Sequence, residues 1–395
     1  MVQDWLIGLL AGLGKLLIHP LLYFSLMLAF VVGMLRVNRE RKDFDTCVHD
    51  IYQEIRGLFP FGLLLGLAVS AVTLLAGLTV PVETLNFVAA ATVILSIGGF
   101  RFLSPAWTIG LVFFLLLLSE TNGWAFIPHG GLSLSGLLQT LAVLAALLVI
   151  AEGLLILNRG WQDPSPRLVK SPRGLKMGVQ LAQRLWLVPV FLVLPAGDLE
   201  APQSWWPMIS IGAESYALVC FPFLIGFAQL VKSTLPKLAV KATGKGVIAA
   251  GATALLLAAA AYWLPFLAIV SMLFVIGSRI WISWRHYSYE RARHYFFTPQ
   301  PKGMMILGVI PYSPASKMGL ELGEIIYKVN GTPVQSEIEF YEALQRNAAY
   351  CKLEVVDVNG QLRFVQGSLY EGEHHELGLI LAVEEKKFED VEKLL

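Results

Sequence analysis

Histidine, serine and carboxylate side chains could carry out catalysis in this chain, but none has the spacing that catalysis needs. A zinc peptidase that acts inside a membrane requires two histidines one helical turn apart beside a glutamate, as in H-E-x-x-H. The seven histidines lack this spacing, and the adjacent pair His374-His375 would point to opposite faces of a strand. The nearest match to the G-x-S-G motif of membrane serine proteases is Ser133-Leu134-Ser135-Gly136, which lacks the first glycine. We therefore predict that the chain is not an enzyme and needs no cofactor or metal.

Two carboxylates in or near apolar runs, Glu152 and Glu214, are the residues that could serve transport. Transport sites use buried ionisable side chains or interrupted helices, and Pro189, Pro222 and Pro265 could kink predicted helices. Both carboxylates lie near predicted membrane boundaries, where a hydrated helix end is the favoured explanation. A transporter therefore stays an alternative, as does a membrane protein that regulates proteolysis.

The composition predicts an α-helical polytopic membrane domain followed by a small soluble domain. Hydrophobic residues make up 56% and charged residues 15% of the chain, whereas soluble domains carry about 25% charged residues. A helix needs about 20 apolar residues to cross a bilayer, so we expect about nine spans, with seven or eight as alternatives. The predicted spans are Leu16–Leu35, Leu58–Val80, Phe87–Leu103, Ala106–Leu118, Leu132–Leu157, Leu181–Leu194, Met208–Val231 and two within Val247–Trp284.

Three details of this prediction stay open. The runs Ala106–Leu118 and Leu181–Leu194 are short, so they could be tilted, re-entrant or interfacial. Residues Trp5–Ile18 could lie in the interface ahead of the first span. The last apolar run is too long for one span, and we expect it to turn near Trp263-Leu264-Pro265.

Basic residues alternate with the predicted spans, and this alternation orients the chain. Lysine and arginine cluster after the first span, within residues 159–184, within residues 232–245 and after the last span. Because positive loops stay in the cytoplasm, the C-terminal domain is predicted to be cytoplasmic. We divide the chain into a transmembrane domain (1–285), a juxtamembrane linker (286–300), a cytoplasmic domain (301–383) and a charged tail (384–395).

Two patterns inside the membrane domain have a plain structural explanation. Residues 158–180 contain three prolines and scattered basic residues. A solvated linker is therefore favoured over a docking segment there. Gly62 and Gly66 form a G-x-x-x-G pair in a predicted span, which is typical of close helix packing.

The C-terminal domain is predicted to contain short strands and one clear helix. Its residues 308–334, G-V-I-P-Y-S-P-A-S-K-M-G-L-E-L-G-E-I-I-Y-K-V-N-G-T-P-V, resemble the bacterial PDZ modules. Such α/β domains capture extended peptides by adding them to a sheet edge. The family usually has aspartate where this chain has Glu324. The matching residues are Ser313, Pro314, Ala315, Gly319, Leu320, Gly323, Glu324, Asn330 and Gly331.

The PDZ resemblance implies a binding groove between a strand and a helix. The family clamps a ligand's terminal carboxylate with the backbone N–H groups of a glycine-containing loop, and the matching segment here is Glu376–Ile380. A capping box at Ser336 and Glu339 predicts the start of the helix. A plain core strand explains the apolar residues of the segment equally well, and the ligand could be a chain terminus or an internal segment. The groove candidates are Leu377, Gly378, Leu379, Ile380, Ile338, Tyr341 and Leu344.

Over its whole length the chain resembles the MinJ family of cell-division topological determinants from rod-shaped Gram-positive bacteria. The string L-R-V-N-R-E-R-K at Leu35–Lys42 and residues 308–334 carry this resemblance. It implies a membrane scaffold that a DivIVA-like protein recruits to septa and poles. The scaffold in turn positions a MinD-like ATPase and, through it, the FtsZ inhibitor MinC. Other divisome proteins, the lipid bilayer and a second copy of the chain are further expected partners, and nucleic acid is not.

Overall fold

The computed structural model describes residues 2–123, 132–171, 174, 176–203, 205–208, 215–298, 300, 302–347, 350–368 and 377–382. In these ranges an apolar domain (residues 2–292) precedes a C-terminal domain (residues 302–382). The helices of the apolar domain are α1 (Val2–Ile18), α2 (Pro20–Phe44), α3 (Gln53–Leu58), α4 (Pro60–Ala76), α5 (Val82–Ile97), α6 (Pro105–Thr121), α7 (Leu134–Arg159), α8 (Pro236–Ala260) and α9 (Phe266–Ala292). Its strands are β1 (Ser165–Lys170), β2 (Lys176–Leu199) and β3 (Tyr216–Val231).

Five helical segments in the described part of the chain are long and apolar enough to cross a membrane. They are α2, the continuous pair α3–α4, α7, α8 and α9. The helices α5 and α6 are also apolar but shorter, with 16 and 17 residues. Residues 261–265 separate α8 from α9, so the predicted turn near Trp263-Leu264-Pro265 is confirmed. The predicted count of seven to nine helical spans is not reached among the described residues.

Two of the predicted spans are strands instead of helices. Leu181–Leu194 lies within β2, and residues 216–231 of the predicted span Met208–Val231 form β3. The two strands pair antiparallel, from Gln180 opposite Val231 to Pro195 opposite Tyr216. A strand buried on both faces carries a continuous apolar run, so hydrophobicity alone does not distinguish it from a buried helix.

Two prolines explain why these segments do not form helices. Pro189 and Pro222 lie opposite one another in the β2–β3 ladder. Inside a helix each proline would remove a hydrogen bond and clash with the preceding turn, at a cost of about 3 kcal/mol or more. In the hairpin neither proline breaks an inter-strand hydrogen bond, because Phe191 and Gly226, two and four residues along the same strands, direct their N–H groups away from the partner strand. The prediction that these prolines kink helices is therefore wrong.

Neighbouring segments pair with the edge of β2 that faces away from β3. The Phe191 N–H donates to Ser70 Oγ at 2.8 Å, and the Phe191 carbonyl accepts from Thr73 Oγ1 at 2.6 Å. Beyond α4, the Val80 N–H donates to the Val193 carbonyl at 2.9 Å. Since backbone groups buried away from water need a partner, these bonds help the strand to lie within the apolar domain.

The edge of β3 that faces away from β2 is hydrogen-bonded in a similar way. The Gly226 N–H donates to the Leu103 carbonyl at 3.1 Å. Farther along the strand, the Leu230 carbonyl lies 2.9 Å from Nε2 of His286 on α9. Both edges of the hairpin are therefore joined to the helices around them.

The G-x-x-x-G pair of α4 packs against a strand and not against a helix. A Cβ atom on Gly62 would overlap the carbonyl oxygen of Leu187, and one on Gly66 would overlap that of Pro189. Both carbonyls belong to β2. The glycines therefore let the backbone of α4 approach the hairpin closely enough for the Ser70 and Thr73 bonds to form.

Two further expectations from the sequence are wrong. Glu152 is not at a hydrated helix end but fully buried, and its carboxylate accepts from Arg279 Nη2 and from Ser104 Oγ, each at 2.6 Å. A buried carboxylate is tolerated when it is paired and hydrogen-bonded in this way.

Residues 158–180 are not a solvated linker, because β1 pairs antiparallel with the start of β2. The other transport candidate, Glu214, lies outside the described residues.

The C-terminal domain is an antiparallel sheet packed on one helix. Its strands are β4 (Met304–Val309), β5 (Ile325–Val329), β6 (Thr332–Pro333), β7 (Tyr350–Val356), β8 (Leu362–Ser368) and β9 (Leu379–Ala382), and its helices are α10 (Pro314–Lys317) and α11 (Glu337–Gln345). The strand order is β8-β7-β5-β4-β9, with β6 paired to β5. Met304 and Ile306 point into the core that includes α11, whereas Met305 and Leu307 point to the other face.

We expect the close approach of α4 to the hairpin to make Gly62 intolerant of any side chain. Gly62→Ala should destabilise the apolar domain, because its Cβ has no space beside the Leu187 carbonyl. Gly277→Ala on α9 is the matched control, since a Cβ there meets nothing within 4 Å and alanine favours a helix over glycine by about 1 kcal/mol. Thermal unfolding of the detergent-purified protein should show a lower midpoint for the first variant only. Equal midpoints would contradict the packing described.

Candidate peptide-binding site

The Ser-Pro-Ala motif forms α10, which holds the loop in front of β9. Ser313 caps this helix, because its Oγ accepts a hydrogen bond from the Ser316 N–H at 3.2 Å. Pro314 occupies the first helical position, where no N–H is required. The Ala315 N–H donates to the Leu377 carbonyl at 3.0 Å. The motif therefore connects directly to the segment that the sequence assigned to ligand binding.

Glu324 has a structural role at the position where the family usually has aspartate. It is buried, and one carboxylate oxygen accepts from the Glu321 N–H at 2.9 Å. Nη2 of Arg363 on β8 lies 2.6 and 2.8 Å from its two oxygens and also donates to the Gly319 carbonyl at 2.9 Å. The longer side chain of glutamate thus still caps the turn, and it ties the motif to the far strand of the sheet.

The Asn330-Gly331 pair forms the tight turn that the sequence predicts. Its φ angles are 50° and 82°, a conformation that asparagine and glycine adopt most readily. The Asn330 side chain also donates to the Ala343 carbonyl at 3.1 Å and accepts from the Lys352 N–H at 2.9 Å. This turn therefore fixes α11 against β5 and β7.

The loop before β9 presents two adjacent backbone donors. The Leu377 carbonyl accepts from the Ala315 N–H, and the Gly378 carbonyl accepts from the Ile310 N–H at 2.9 Å. In a trans peptide the N–H points opposite to the carbonyl, so the N–H groups of Gly378 and Leu379 both point away from residues 310–315. The positive φ of Gly378, 80°, makes this possible. Two adjacent donors on one side form a small anion-binding concavity.

The strand that follows this loop lies at an end of the sheet. Within the described residues β9 pairs with β4 alone, with Leu379 opposite Val309 and Ile380 opposite Gly308. The side chains of Leu379 and Leu381 are partly buried against the core that contains α11. An extended peptide could therefore add to this edge, with its side chains alternating between the core side and the opposite side.

The structure distributes the predicted groove residues over four environments. Gly378 and Leu379 lie at the strand edge, and Tyr341 is partly buried against the same core as Leu379. Ile338 is 72% exposed on the first turn of α11. Leu344 and Leu377 are buried in the core, and Ile380 is buried on the opposite face of the sheet. Leu381 was missed, although its alternation with Leu379 in the sequence was a usable signal.

The opposite face of the sheet packs on the apolar domain. Met305, Leu307 and Ile380 form a buried cluster with Val48 and Phe297. Two hydrogen bonds cross this interface, from Gln180 Nε2 to the Leu307 carbonyl at 2.7 Å and from the Gly178 N–H to the Phe297 carbonyl at 3.2 Å. The strand edge is thus held in a fixed position relative to the apolar domain.

A network of buried ion pairs in the apolar domain lies next to its interface with the PDZ sheet. Arg36 on α2 lies 3.1 Å from Glu40 and 2.9 Å from Glu54, and its Nη2 donates to the Asp163 carbonyl at 3.2 Å. Glu40 also accepts from the Val48 N–H at 2.9 Å. The network therefore orders the loop that carries Val48 into the interface. The spacing of these residues in the sequence did not predict the ion pairs.

His49 in the same loop is held in its neutral form. Burial and then the positive charge of Arg36 lower its pKa from 6.5 to about 4, although its Nε2 lies 4.0 Å from Asp163 Oδ1. Burial would raise the pKa of Asp163, but the charge and hydrogen bond of Arg184, at 2.7 Å, together with the charge of Arg36, more than offset this and the pKa is lowered. Protonation of His49 would therefore place a further positive charge among Arg36 and Arg184.

We expect acid to weaken this interface through His49. Because the pKa of His49 is lower in the folded protein, the unfolded chain binds the proton more readily below pH 6.5, and stability falls until about pH 4. The loss is roughly 1 kcal/mol per pH unit in that window. Thermal unfolding at pH 7 and 5 should show a larger decrease for the wild type than for His49→Gln. An identical decrease in both proteins would contradict this role.

We also expect Gly378 to be essential for the loop that precedes β9. Gly378→Ala combines a strained positive φ with an overlap between its Cβ and that of Ser313. Gly360→Ala is the matched control, since its φ of 81° carries the same strain but a Cβ there meets nothing within 4 Å. The strain alone costs about 1–2 kcal/mol. Limited proteolysis of the full-length protein should therefore cleave the C-terminal domain of the first variant at lower protease concentration.

Comparisons with known proteins agree with this geometry. A PDZ domain family model matches residues 305–357, which run from β4 through β7. The chain is 36% identical over 396 aligned positions to the cell division topological determinant MinJ of Bacillus subtilis (strain 168), covering 99% of each chain. It is 27% identical to a protein of Lacticaseibacillus paracasei named a probable cell division topological determinant MinJ, covering 95% of this chain and 100% of the relative.

The family model and the whole-length similarity account for different parts of the molecule. The first covers β4 to β7 and the motif turns of the C-terminal domain but ends before β8 and β9, and the second extends through the apolar domain with its hairpin. The chain therefore belongs to the MinJ family of cell division topological determinants, and its C-terminal domain is a PDZ domain.

Proposed function

We propose that the chain is a membrane scaffold for division-site selection that captures protein partners at the β9 edge of its PDZ domain. The observation that carries this proposal is the pair of adjacent donors at Gly378 and Leu379, at the start of an edge strand. A peptide that adds to such an edge gains main-chain hydrogen bonds, and a terminal carboxylate would be received by the two N–H groups.

The partners proposed here follow from the family. A DivIVA-like protein would bring the scaffold to septa and poles, and a MinD-like protein would be positioned there, with MinC acting through it on FtsZ. Docking of the PDZ domain on the apolar domain supports a role in which capture occurs at a fixed distance from the membrane. Several weak contacts at one membrane site raise the local concentration of each partner.

A cytoplasmic PDZ domain is supported by the distribution of charge. The loops that meet the PDZ domain are next to basic residues, including Arg39, Arg41, Lys237 and Lys241. Positive loops stay in the cytoplasm, so partner capture would occur on the side of the membrane where division proteins assemble.

We propose a scaffold and not a transporter or an enzyme. The buried carboxylate that could have served transport, Glu152, forms an ion pair with Arg279. Among the described residues, no group of three or more histidine, cysteine, aspartate and glutamate side chains could hold a metal ion. Ser133, which stands where the candidate nucleophile string lacks its first glycine, caps α7 by accepting from the Gly136 N–H at 3.3 Å, and Ser135 lies in the first turn of that helix.

Removing one N–H from the edge tests the capture mechanism. Leu379→Pro removes the edge-facing donor while the Gly378 carbonyl keeps its bond from the Ile310 N–H, and Leu379→Ala is the matched control that shortens the side chain but keeps the donor. We expect the proline variant to lose colocalisation with its DivIVA-like or MinD-like partner in dividing cells. The alanine variant should retain most of it.

Two results would contradict the proposal. Unchanged colocalisation with both partners in a folded, membrane-located proline variant would exclude capture at this edge. A uniform membrane signal of the wild-type protein, with or without the DivIVA-like protein, would exclude the scaffold itself. Deleting residues 301–395 provides the reference for complete loss of the PDZ domain.

A further inference from the structure

A cavity of about 580 Å³ lies at the end of the apolar domain nearest the PDZ domain. It is bounded by the last turns of α9, by the end of β3 and by the turn at Phe100–Phe102. Nothing in the capture of partners at β9 uses this cavity, because no part of the PDZ domain lines it. A ligand of this cavity would therefore be recognised by residues of the apolar domain alone.

The cavity wall carries three cationic side chains and one carboxylate. These are Arg101, Lys232, Arg279 and Glu290, and His286 and Tyr287 are the other titratable side chains in the wall. Arg101 is exposed and held in place by a bond from Nε to the Ala228 carbonyl at 3.3 Å. Arg279 is held by its ion pair with Glu152 behind the wall. Cationic groups fixed in this way can receive a phosphate without further ordering.

Two buried polar atoms in this wall lack a partner among the described residues. One is the donor Nε of Arg279, and the other is the acceptor Oε1 of Glu290, whose Oε2 accepts from the N–H groups of Lys232 and Ser233 at 2.7 and 2.9 Å. Buried polar atoms are nearly always paired with protein, water or ligand. The wall therefore has one hydrogen-bond donor and one hydrogen-bond acceptor that a ligand could pair with.

The mouth of the cavity is apolar and exposed. Phe102, Ile280, Trp284 and Tyr287 line it and are between 40% and 58% exposed. Tryptophan and tyrosine concentrate where a membrane meets water, and α9 is one of the helices long enough to cross a membrane. The cavity thus combines a polar interior with an opening toward lipid.

We infer that this cavity binds the headgroup of an anionic phospholipid that carries hydroxyl groups, from the leaflet on the PDZ side. Its phosphate would contact Arg101 and Lys232, next to Arg279. A headgroup hydroxyl would donate towards Glu290, and the acyl chains would lie along Ile280 and Trp284. A zwitterionic choline headgroup has no hydrogen-bond donor for Glu290 and adds a positive charge beside the three cations.

The apolar mouth distinguishes a lipid from a soluble phosphate. A free phosphate or glycerol phosphate would gain only the polar contacts of the interior, whereas a phospholipid would also cover the exposed aromatic and aliphatic side chains at the mouth. Basic pockets between helices on the cytoplasmic side of membrane proteins are suited to such headgroups.

Lipid-dependent stability of the purified full-length protein tests this inference. The detergent-solubilised protein is delipidated, and its unfolding temperature is measured with phosphatidylglycerol, phosphatidylcholine, phosphatidylethanolamine or glycerol phosphate. We expect phosphatidylglycerol to raise the unfolding temperature more than the other three additives do. The double variant Arg101→Gln/Lys232→Gln should lose this shift, and the amount of phosphatidylglycerol retained in native mass spectra should fall about tenfold or more, the loss expected from about 1.4 kcal/mol of contact energy.

The control is Arg285→Gln/Lys245→Gln, which removes two charges at the same end of the domain from residues that do not line the cavity. It should keep the full shift. Equal losses in both double variants would show general surface electrostatics and overturn the inference. It would also be overturned by an equal shift with glycerol phosphate, or by equal retention of phosphatidylethanolamine. If the double variant does not fold, Arg101→Gln alone, at an exposed residue, must lose part of the shift.

Discussion

The backbone of the β2–β3 hairpin needs hydrogen-bond partners inside a domain that offers almost no water, and much of the surrounding structure follows from this need. Helices satisfy their own backbone, but a strand has two edges that other segments must cover. The hydroxyl groups of Ser70 and Thr73 and the segment that follows α4 cover one edge, and the turn before α6 and His286 on α9 cover the other. Gly62 and Gly66 permit this contact, because a side chain at either position would hold α4 away from β2.

The hairpin also links the apolar domain to the PDZ domain. The start of β2 carries Gln180 and Gly178, and both bond to the segment that leads into and includes β4. The part of the PDZ sheet that contains β4 and β9 is therefore buried on both faces, by its own core and by the apolar domain. Ile380 packs on the apolar domain, and the edge of the same strand is the one that we propose for an extended partner. A scaffold that holds its capture edge at a fixed height above the membrane needs a contact of this kind.

Charge is used in two ways in the molecule. Buried pairs such as Arg36–Glu54 and Arg279–Glu152 lie inside the apolar domain, where each carboxylate is matched by a guanidinium. Such pairs add little net stability compared with apolar packing, but breaking one leaves an uncompensated buried charge. They therefore favour a single arrangement of α2 against α3 and of α7 against α9. Arg101 and Lys232, by contrast, are not buried, and they line the cavity that we assign to an anionic headgroup.

The sequence by itself determined the local and compositional features of the protein. It predicted the apolar segments, the turn between α8 and α9, the Asn330-Gly331 turn and the family, because these depend on short motifs, on positive φ angles or on mean hydropathy. Tertiary structure decided the rest. Leu181–Leu194 is as apolar as a membrane helix; Pro189 disfavours a helix there, but only the pairing with β3 shows that the segment is a strand. The burial of Glu152 depends on Arg279, 127 positions away in the chain. The packing of β9 on Val48 likewise joins segments that are far apart in the sequence. Such contacts follow from which elements meet in space, and local sequence patterns carry no information about that.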